Sequence, residues 1–131
     1  MPSFDAKTDN KARPLLPHSP SGCPMDSLLR LLMGQWTCYI LWMLCREGPM
    51  RFGVLKRSIP GLSSKVLTER LRLLENARII YREHLPSIPP QVTYGLSDRG
   101  KELMTVLDDL FVIAKRWCEI DQAEIRQDHP S

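Results

Sequence analysis

Residues 56–76 read KRSIPGLSSKVLTERLRLLEN, two amphipathic segments joined by a tight turn at Pro60 and Gly61. The second segment predicts a helix that begins at Ser63 or Ser64, since a serine there accepts a hydrogen bond from a free amide of the first turn. Its apolar residues recur at the three-and-four spacing of one buried stripe, namely Val66, Leu67, Leu71, Leu73 and Leu74. A leucine-backed helix with a polar outer face fits a DNA major groove. The segment therefore predicts a helix-turn-helix with residues 63–76 as its reading helix.

Charge is distributed unevenly along the chain. The 131 residues have the length of one domain, and their net charge is +3. The segment from Arg46 to His84 contains nine Lys and Arg residues and four Asp and Glu residues, a balance of +5. Residues 98–131 contain five Lys and Arg residues and eight Asp and Glu residues, a balance of −3. A basic middle indicates a polyanionic partner, and double-stranded DNA is the partner that a helix-turn-helix predicts.

Several classes of function are disfavoured. The four cysteines show no C-x-x-C spacing and no neighbouring histidine, so neither a metal site nor a disulfide scaffold is expected. The histidines, His18, His84 and His129, fall in separate regions, and no phosphate loop or nucleophile elbow occurs. We therefore expect no enzyme and no cofactor. The N-terminus lacks an apolar signal core and the longest apolar run is too short to cross a bilayer, which favours a cytoplasmic protein without a membrane partner.

The segments before the helix-turn-helix predict an arm and two helices. Residues 1–22 contain four prolines and no apolar period, which is typical of a flexible arm. Pro24 favours the first position of a short helix with Leu28, Leu29 and Leu32 on one side, and Gly34 ends it. The next helix, residues 38–46, is apolar nearly all round, with Thr37 as its expected cap. We expect its cysteines, Cys38 and Cys45, in the core.

After Asn76 the period changes from that of a helix to about two. Residues 80–85 and 92–96 predict two strands, and three prolines between them make a stiff tip. A two-stranded hairpin directly after a reading helix is a wing, which suits contact with the DNA backbone or the minor groove. A hairpin that only covers a core edge would have a similar sequence.

The last helix is predicted from Ser97 or Asp98 to about Glu124, with residues 125–131 as a tail. Its apolar stripe comprises Leu103, Met104, Leu107, Leu110, Phe111, Ala114, Trp117 and Cys118. A helix roughly 40 Å long exceeds what a small winged domain can cover. We therefore expect a symmetric homodimer, which suits a near-palindromic DNA site, although the helix could instead fold back onto its own domain.

Five motifs carry a resemblance to a known family. They are CPMD (23–26), GQW (34–36), GPMRF (48–52), IPGLSSKVLTERLRLLE (59–75) and PPQVTYGLSDRG (89–100). Together they resemble the HxlR-type winged helix-turn-helix regulators of bacteria, within the MarR-like superfamily, over residues 23–118. The resemblance implies an α+β, mostly α fold with a two-stranded wing and a long C-terminal dimerisation helix, spanning residues 23–124. It also implies a dimeric transcription factor whose first and last helices form the dimer.

The resemblance also implies roles for particular residues. The implied DNA contacts are Ser63, Ser64, Lys65, Thr68, Glu69 and Arg72 on the reading helix, with phosphate contacts from Arg51 and Arg82. The implied dimer interface comprises Leu28, Leu103, Leu107, Leu110, Phe111, Ala114 and Trp117. This chain departs from the family pattern at Gln35, Val54 and Arg78, where the family usually has lysine, an acidic residue and glycine. Loss of that glycine leads us to expect an altered turn before the wing.

Cys23 is the residue with the strongest chemical case. It lies just before a helix N-terminus, where the aligned amides favour a reactive thiolate. Several members of the family sense oxidants, quinones or aldehydes through a cysteine at this position. We hypothesise that oxidation links Cys23 to Cys118 of a second subunit, against the alternative that Cys23 is a quiet cap and Cys118 a small apolar residue. A second class of function, a winged-helix module that mediates protein contacts without DNA, also remains open.

Overall fold

The computed structural model describes residues 22–128, so the predicted arm up to residue 21 and the last three residues lie outside the described part. In chain order the elements are α1 (Pro24–Leu32), α2 (Thr37–Glu47), β1 (Met50–Arg51), α3 (Phe52–Ser58), α4 (Ser64–Asn76), β2 (Ile80–Leu85), β3 (Gln91–Leu96) and α5 (Asp98–Asp128). The mostly helical class, the helix-turn-helix, the wing and the long last helix are confirmed. Helix α5 extends past the predicted end near Glu124 to Asp128, the last described residue.

The sheet has three antiparallel strands in the order β1-β3-β2. Strands β2 and β3 form the predicted hairpin, with Ile80 opposite Leu96 at its base and Leu85 opposite Gln91 near its tip. Strand β1 adds Met50 opposite Tyr94 and was not predicted. Two residues are too few to show an alternating pattern, so β1 becomes visible only through its pairing with β3. It fixes the wing to the start of α3.

Helix α4 is capped and buried largely as predicted. The Ser63 hydroxyl accepts a hydrogen bond of 3.1 Å from the backbone N–H of Val66. The leucines that anchor α4 in the core are Leu67, Leu71 and Leu74. The prediction for Leu73 was wrong, since it is 40% exposed. Successive helix positions turn by about 100°, which places Leu73 on the flank away from the three anchoring leucines.

Helices α1 and α2 differ in detail from the prediction. Leu31 is the buried leucine of α1, because the helix turns that residue, rather than Leu29, toward the core. Thr37 does not cap α2: it is the first helical residue, follows Trp36, and its hydroxyl is buried without a hydrogen-bond partner.

The cysteines of α2 are not core residues. Cys38 and Cys45 are both exposed. The core face of α2 consists of Ile40, Leu41 and Leu44, so the two cysteines fall on its flanks. The apolar helix α2 is therefore only partly covered by the rest of its own domain.

The turn between α4 and the wing keeps a left-handed residue without glycine. Arg78 has φ 61°, a conformation that costs a non-glycine residue about 1 kcal/mol. The Ser97 hydroxyl lies 2.6 and 2.9 Å from the carbonyl oxygens of Arg78 and Ile79 and shares its one proton between them. This interaction stabilises the turn, which keeps the left-handed conformation at Arg78 without glycine.

Within residues 22–128, no single helix is long and apolar enough to span a bilayer, and α1 with α2 reaches that length only as a pair bent by 79°.

Candidate nucleic-acid interface

The outer face of α4 carries the predicted reading residues. All six of them are exposed, namely Ser63, Ser64, Lys65, Thr68, Glu69 and Arg72. Two of these side chains have local partners, because Ser63 caps the helix and the Thr68 hydroxyl donates to the Ser64 carbonyl at 2.7 Å. The start of α4 is thus fixed, and Lys65 and Arg72 project from a rigid helix.

A cleft between α4 and the wing brings two predicted cations together. Arg72 of α4 and Arg82 of β2 both line it. Thr68 from α4 and Tyr94 from β3 complete its walls, with Glu75 at the same cleft. A duplex that seats α4 in its major groove places a phosphate backbone along the groove edge, where a wing arginine such as Arg82 is placed to bind phosphate. The sequence pattern missed Glu75 and Tyr94 because neither belongs to a basic or serine-rich motif.

Arg51 is held between the helix-turn-helix and the wing. It is the residue that precedes α3, and its strand pairs with β3 opposite Thr93. Its guanidinium donates from Nη2 to the Gln91 side-chain oxygen at 2.7 Å. The remaining N–H groups of this exposed arginine are directed from a fixed stem, which suits contact with a phosphate.

The tip of the wing differs in character from its base. Ile88 is 102% exposed there. The Ser87 hydroxyl donates to the Pro89 carbonyl at 2.7 Å, so it is engaged locally. No charged residue occurs between Leu85 and Gly95. The basic groups of the wing therefore lie at its base, with Arg82.

A second surface concerns the first and last helices. Helix α5 begins against the body of the domain, where Met104 is buried and Leu103 and Leu107 are half-buried. Beyond this point its large apolar side chains face outward, with Leu110, Phe111 and Trp117 at 56%, 52% and 61% exposure. The predicted interface residues of α5 thus lie along one helix, and they include the exposed Ala114. The remaining one, Leu28, is half-buried on α1.

An apolar groove of about 460 Å³ lies between α2 and α5. Its walls include Tyr39, Trp42 and Phe111, and the rings of Trp42 and Phe111 are 6.0 Å apart. Cys38 also lines it, with its thiol donating to the Leu32 carbonyl at 3.4 Å. Although Cys38 is partly exposed, burial of its thiol raises the pKa above the ordinary value. Cys38 is therefore a poor nucleophile at neutral pH.

The two cysteines of the redox hypothesis lie on different helices. Cys23 is exposed immediately before Pro24, and Cys118 is exposed on α5. The start of α1 meets α5 near Glu102 and Val106. From there, Cys118 is on the order of 20 Å farther along the helix at 1.5 Å per residue. A disulfide requires Cα atoms within about 7 Å, so the two cysteines of one chain cannot form one.

Among residues 22–128, no group of three His, Cys, Asp or Glu is arranged to hold a metal ion.

Comparisons with known proteins identify relatives of this chain. The model of the HxlR-like helix-turn-helix family matches residues 31–122. An uncharacterised HTH-type transcriptional regulator of Synechocystis sp. is 39% identical over 102 residues, which cover 78% of this chain and 75% of that protein. The HTH-type transcriptional regulator YodB of Bacillus subtilis is 38% identical over 98 residues, covering 74% of this chain and 87% of YodB.

Solved structures give the same result. The reduced form of YodB from Bacillus subtilis superposes with a TM-score of 0.66 at 38% identity, covering 74% of this chain and 95% of that one. The redox regulator HypR in its oxidised form gives a TM-score of 0.61 at 30% identity, covering 74% and 95%.

Proposed function

The chain belongs to the HxlR-like helix-turn-helix family, and we propose that it acts as a homodimer on near-palindromic operator DNA, through α4 and the wing. As a member of this family it is a DNA-binding transcriptional regulator and not an enzyme. The observation that carries the proposal is the rigid outer face of α4, with Arg72 and Arg82 on one cleft beside it.

In this proposal the contacts divide into reading and positioning groups. Lys65 and Arg72 are the long cations on the exposed face of α4, and they reach base edges in the major groove. Ser64, Thr68 and Glu69 supply shorter polar contacts there. Ser63 presents the first amides of α4 to a phosphate, while Arg51 and Arg82 bind the backbone on either side.

The case for a homodimer rests on α5. Its outer half leaves Leu110, Phe111 and Trp117 each more than half exposed within the described part of the chain. Contiguous apolar patches of this kind mark interfaces, and a second copy provides the matching surface under two-fold symmetry. Two copies of α4 then face successive major grooves, which requires a near-palindromic site.

We further propose that oxidation of Cys23 regulates DNA binding. Cys23 and Cys118 are too far apart within one chain to form a disulfide, so they can pair only between subunits. Both cysteines are exposed. Each disulfide would release two protons and two electrons to an oxidant, reducing a quinone to a hydroquinone or a peroxide to water and an alcohol. The proposal is supported by the similarity to HypR, a redox regulator solved in its oxidised form.

A salt titration tests the DNA-binding proposal. The dissociation constant of the full chain for a duplex from its own upstream region is measured between low and physiological salt. A regulator that contacts several phosphates loses affinity steeply, with a logarithmic slope of about −0.9 per phosphate contacted. A flat profile, or no binding at low salt, would favour a protein-interaction module instead.

The redox proposal has its own test. The Cys23→Ser and Cys118→Ser variants are treated with peroxide, quinone and aldehyde, and operator release is compared with that of the parent. We expect both variants to stay bound under peroxide and quinone, and non-reducing electrophoresis to show a cross-linked dimer only for the parent. Release of Cys23→Ser as readily as the parent under all three reagents would refute the role of Cys23.

A further inference from the structure

The turn between α1 and α2 contacts the reading helix away from its DNA face. We call residues Gly34, Gln35 and Trp36 the elbow. Arg70 of α4 is half-buried, and its Nε donates to the Gln35 carbonyl at 3.1 Å. Helix periodicity places Arg70 nearly opposite the face that carries Lys65 and Arg72. Arg70 therefore contacts the elbow and not the DNA-facing side, although it lies within the most basic stretch of the chain.

Gly34 makes room for the Arg70 guanidinium. A Cβ atom at position 34 would lie 2.9 Å from Nη1 of Arg70 and 2.8 Å from the Thr37 hydroxyl. Both distances are shorter than a carbon atom normally tolerates, so a side chain at position 34 would push the guanidinium or the Thr37 hydroxyl aside. The planar group is thus fixed by a directional hydrogen bond on one edge and by close packing at its end.

The elbow itself is held in an unfavourable conformation. Trp36 has φ 70°, in the left-handed region that disfavours a bulky side chain. The neighbouring Thr37 hydroxyl is buried without a hydrogen-bond partner. Strained and unsatisfied groups persist where the surroundings impose them, and they concentrate at functional and switch regions.

Trp36 connects the elbow to two other regions. Its ring lies 3.7 Å from the position that a Cβ on Gly61 would take, in the turn of the helix-turn-helix. On its other side, Trp36, Tyr39, Trp42 and Phe111 form a continuous series of ring contacts, with centroid separations of 6.3, 6.0 and 6.0 Å. The series runs from the turn before α4 to the exposed face of α5.

We propose that Arg70 is a positioning residue for DNA recognition: it fixes α4 on the elbow, and the elbow couples the orientation of α4 to the packing of α5. The inference rests on the proposed DNA-binding function and deepens it. Since Arg70 acts through the orientation of α4, its loss reduces the fit of Lys65 and Arg72 to the operator without removing a phosphate contact.

Three variants of the full chain test this role, with Arg82→Ala, which removes a proposed phosphate contact, as the control. Arg70→Ala removes the hydrogen bond to the Gln35 carbonyl. Arg70→Lys keeps the positive charge without the planar hydrogen-bonding group. Gly34→Ala introduces a Cβ atom that displaces the Arg70 guanidinium. Affinities for the upstream duplex and for a scrambled duplex are measured over a range of salt. Stoichiometric titration corrects each dissociation constant for the active fraction, which removes the effect of reduced folding.

We expect all three variants to bind the upstream duplex about 3- to 30-fold more weakly, with the scrambled duplex affected less. Their salt slopes should equal that of the parent, whereas Arg82→Ala should reduce the slope by about one phosphate contact.

Three results would overturn the inference. They are a reduced slope in Arg70→Ala, which would indicate a direct phosphate contact, full rescue by Arg70→Lys, and unchanged affinity in Gly34→Ala. Failure of the parent itself to bind DNA would instead refute the proposed function.

Discussion

Substitutions at Ser63 separate the stability of α4 from its contact with DNA. The Ser63 hydroxyl accepts one hydrogen bond from the Val66 amide, at 3.1 Å. Alanine removes that acceptor, and loss of a serine N-cap costs about 1 kcal/mol in the free energy of unfolding. We expect this loss in urea denaturation of the Ser63→Ala variant, read by circular dichroism at fixed protein concentration.

Aspartate at position 63 is expected to preserve the stability of α4 but to weaken DNA binding. It caps a helix as well as serine does, and its charge favours the positive end of the helix. The unfolding free energy of Ser63→Asp should therefore equal or exceed that of the parent. If the start of α4 faces DNA phosphates, however, the added negative charge should weaken operator binding by roughly tenfold or more.

Ser64→Ala is the matched control for the effect on stability. The Ser64 hydroxyl makes no hydrogen bond with any part of the chain that the structure describes, and only its carbonyl is engaged, by Thr68. Its stability should stay within about 0.5 kcal/mol of the parent. Parental DNA affinity in Ser63→Asp would show that the start of α4 is remote from DNA, and parental stability in Ser63→Ala would refute the cap.

Further predictions address the reading face, the dimer and the cysteines. Lys65→Ala and Arg72→Ala should each weaken operator binding by about 1 to 3 kcal/mol if they reach base edges, and unchanged affinity in both would place the reading face elsewhere. Phe111→Asp should shift the sedimentation coefficient to that of a monomer, because it buries a charge in the proposed interface; a persistent dimer would remove α5 from that role. Burial raises the pKa of the Cys38 thiol, so a smaller fraction of it is thiolate at neutral pH than for a thiol without this burial. Iodoacetamide should therefore label Cys38 more slowly than Cys45, and equal rates by mass spectrometry would contradict this order.

The sequence was sufficient for features that depend on local periodicity and capping. Ser63 and the spacing of Leu67, Leu71 and Leu74 predicted the start and the buried face of α4. Prolines and alternating residues predicted the hairpin, because both constrain the backbone locally.

Features that depend on tertiary contacts were missed. Strand β1 needs its partner β3, and the exposure of Cys38 and Cys45 follows from how far the core covers α2. Arg70 looks like a DNA-facing cation in the sequence, yet its bond to the Gln35 carbonyl spans 35 positions in the chain. Such pairings leave no periodic signal.

The central claim is that two copies of this chain present paired α4 helices to one duplex. Native mass spectrometry of the chain with a near-palindromic duplex from its upstream region measures this directly. The account predicts a complex of two chains per duplex, and a single half-site should bind much more weakly. One chain per duplex, or no complex at low ionic strength, would contradict it.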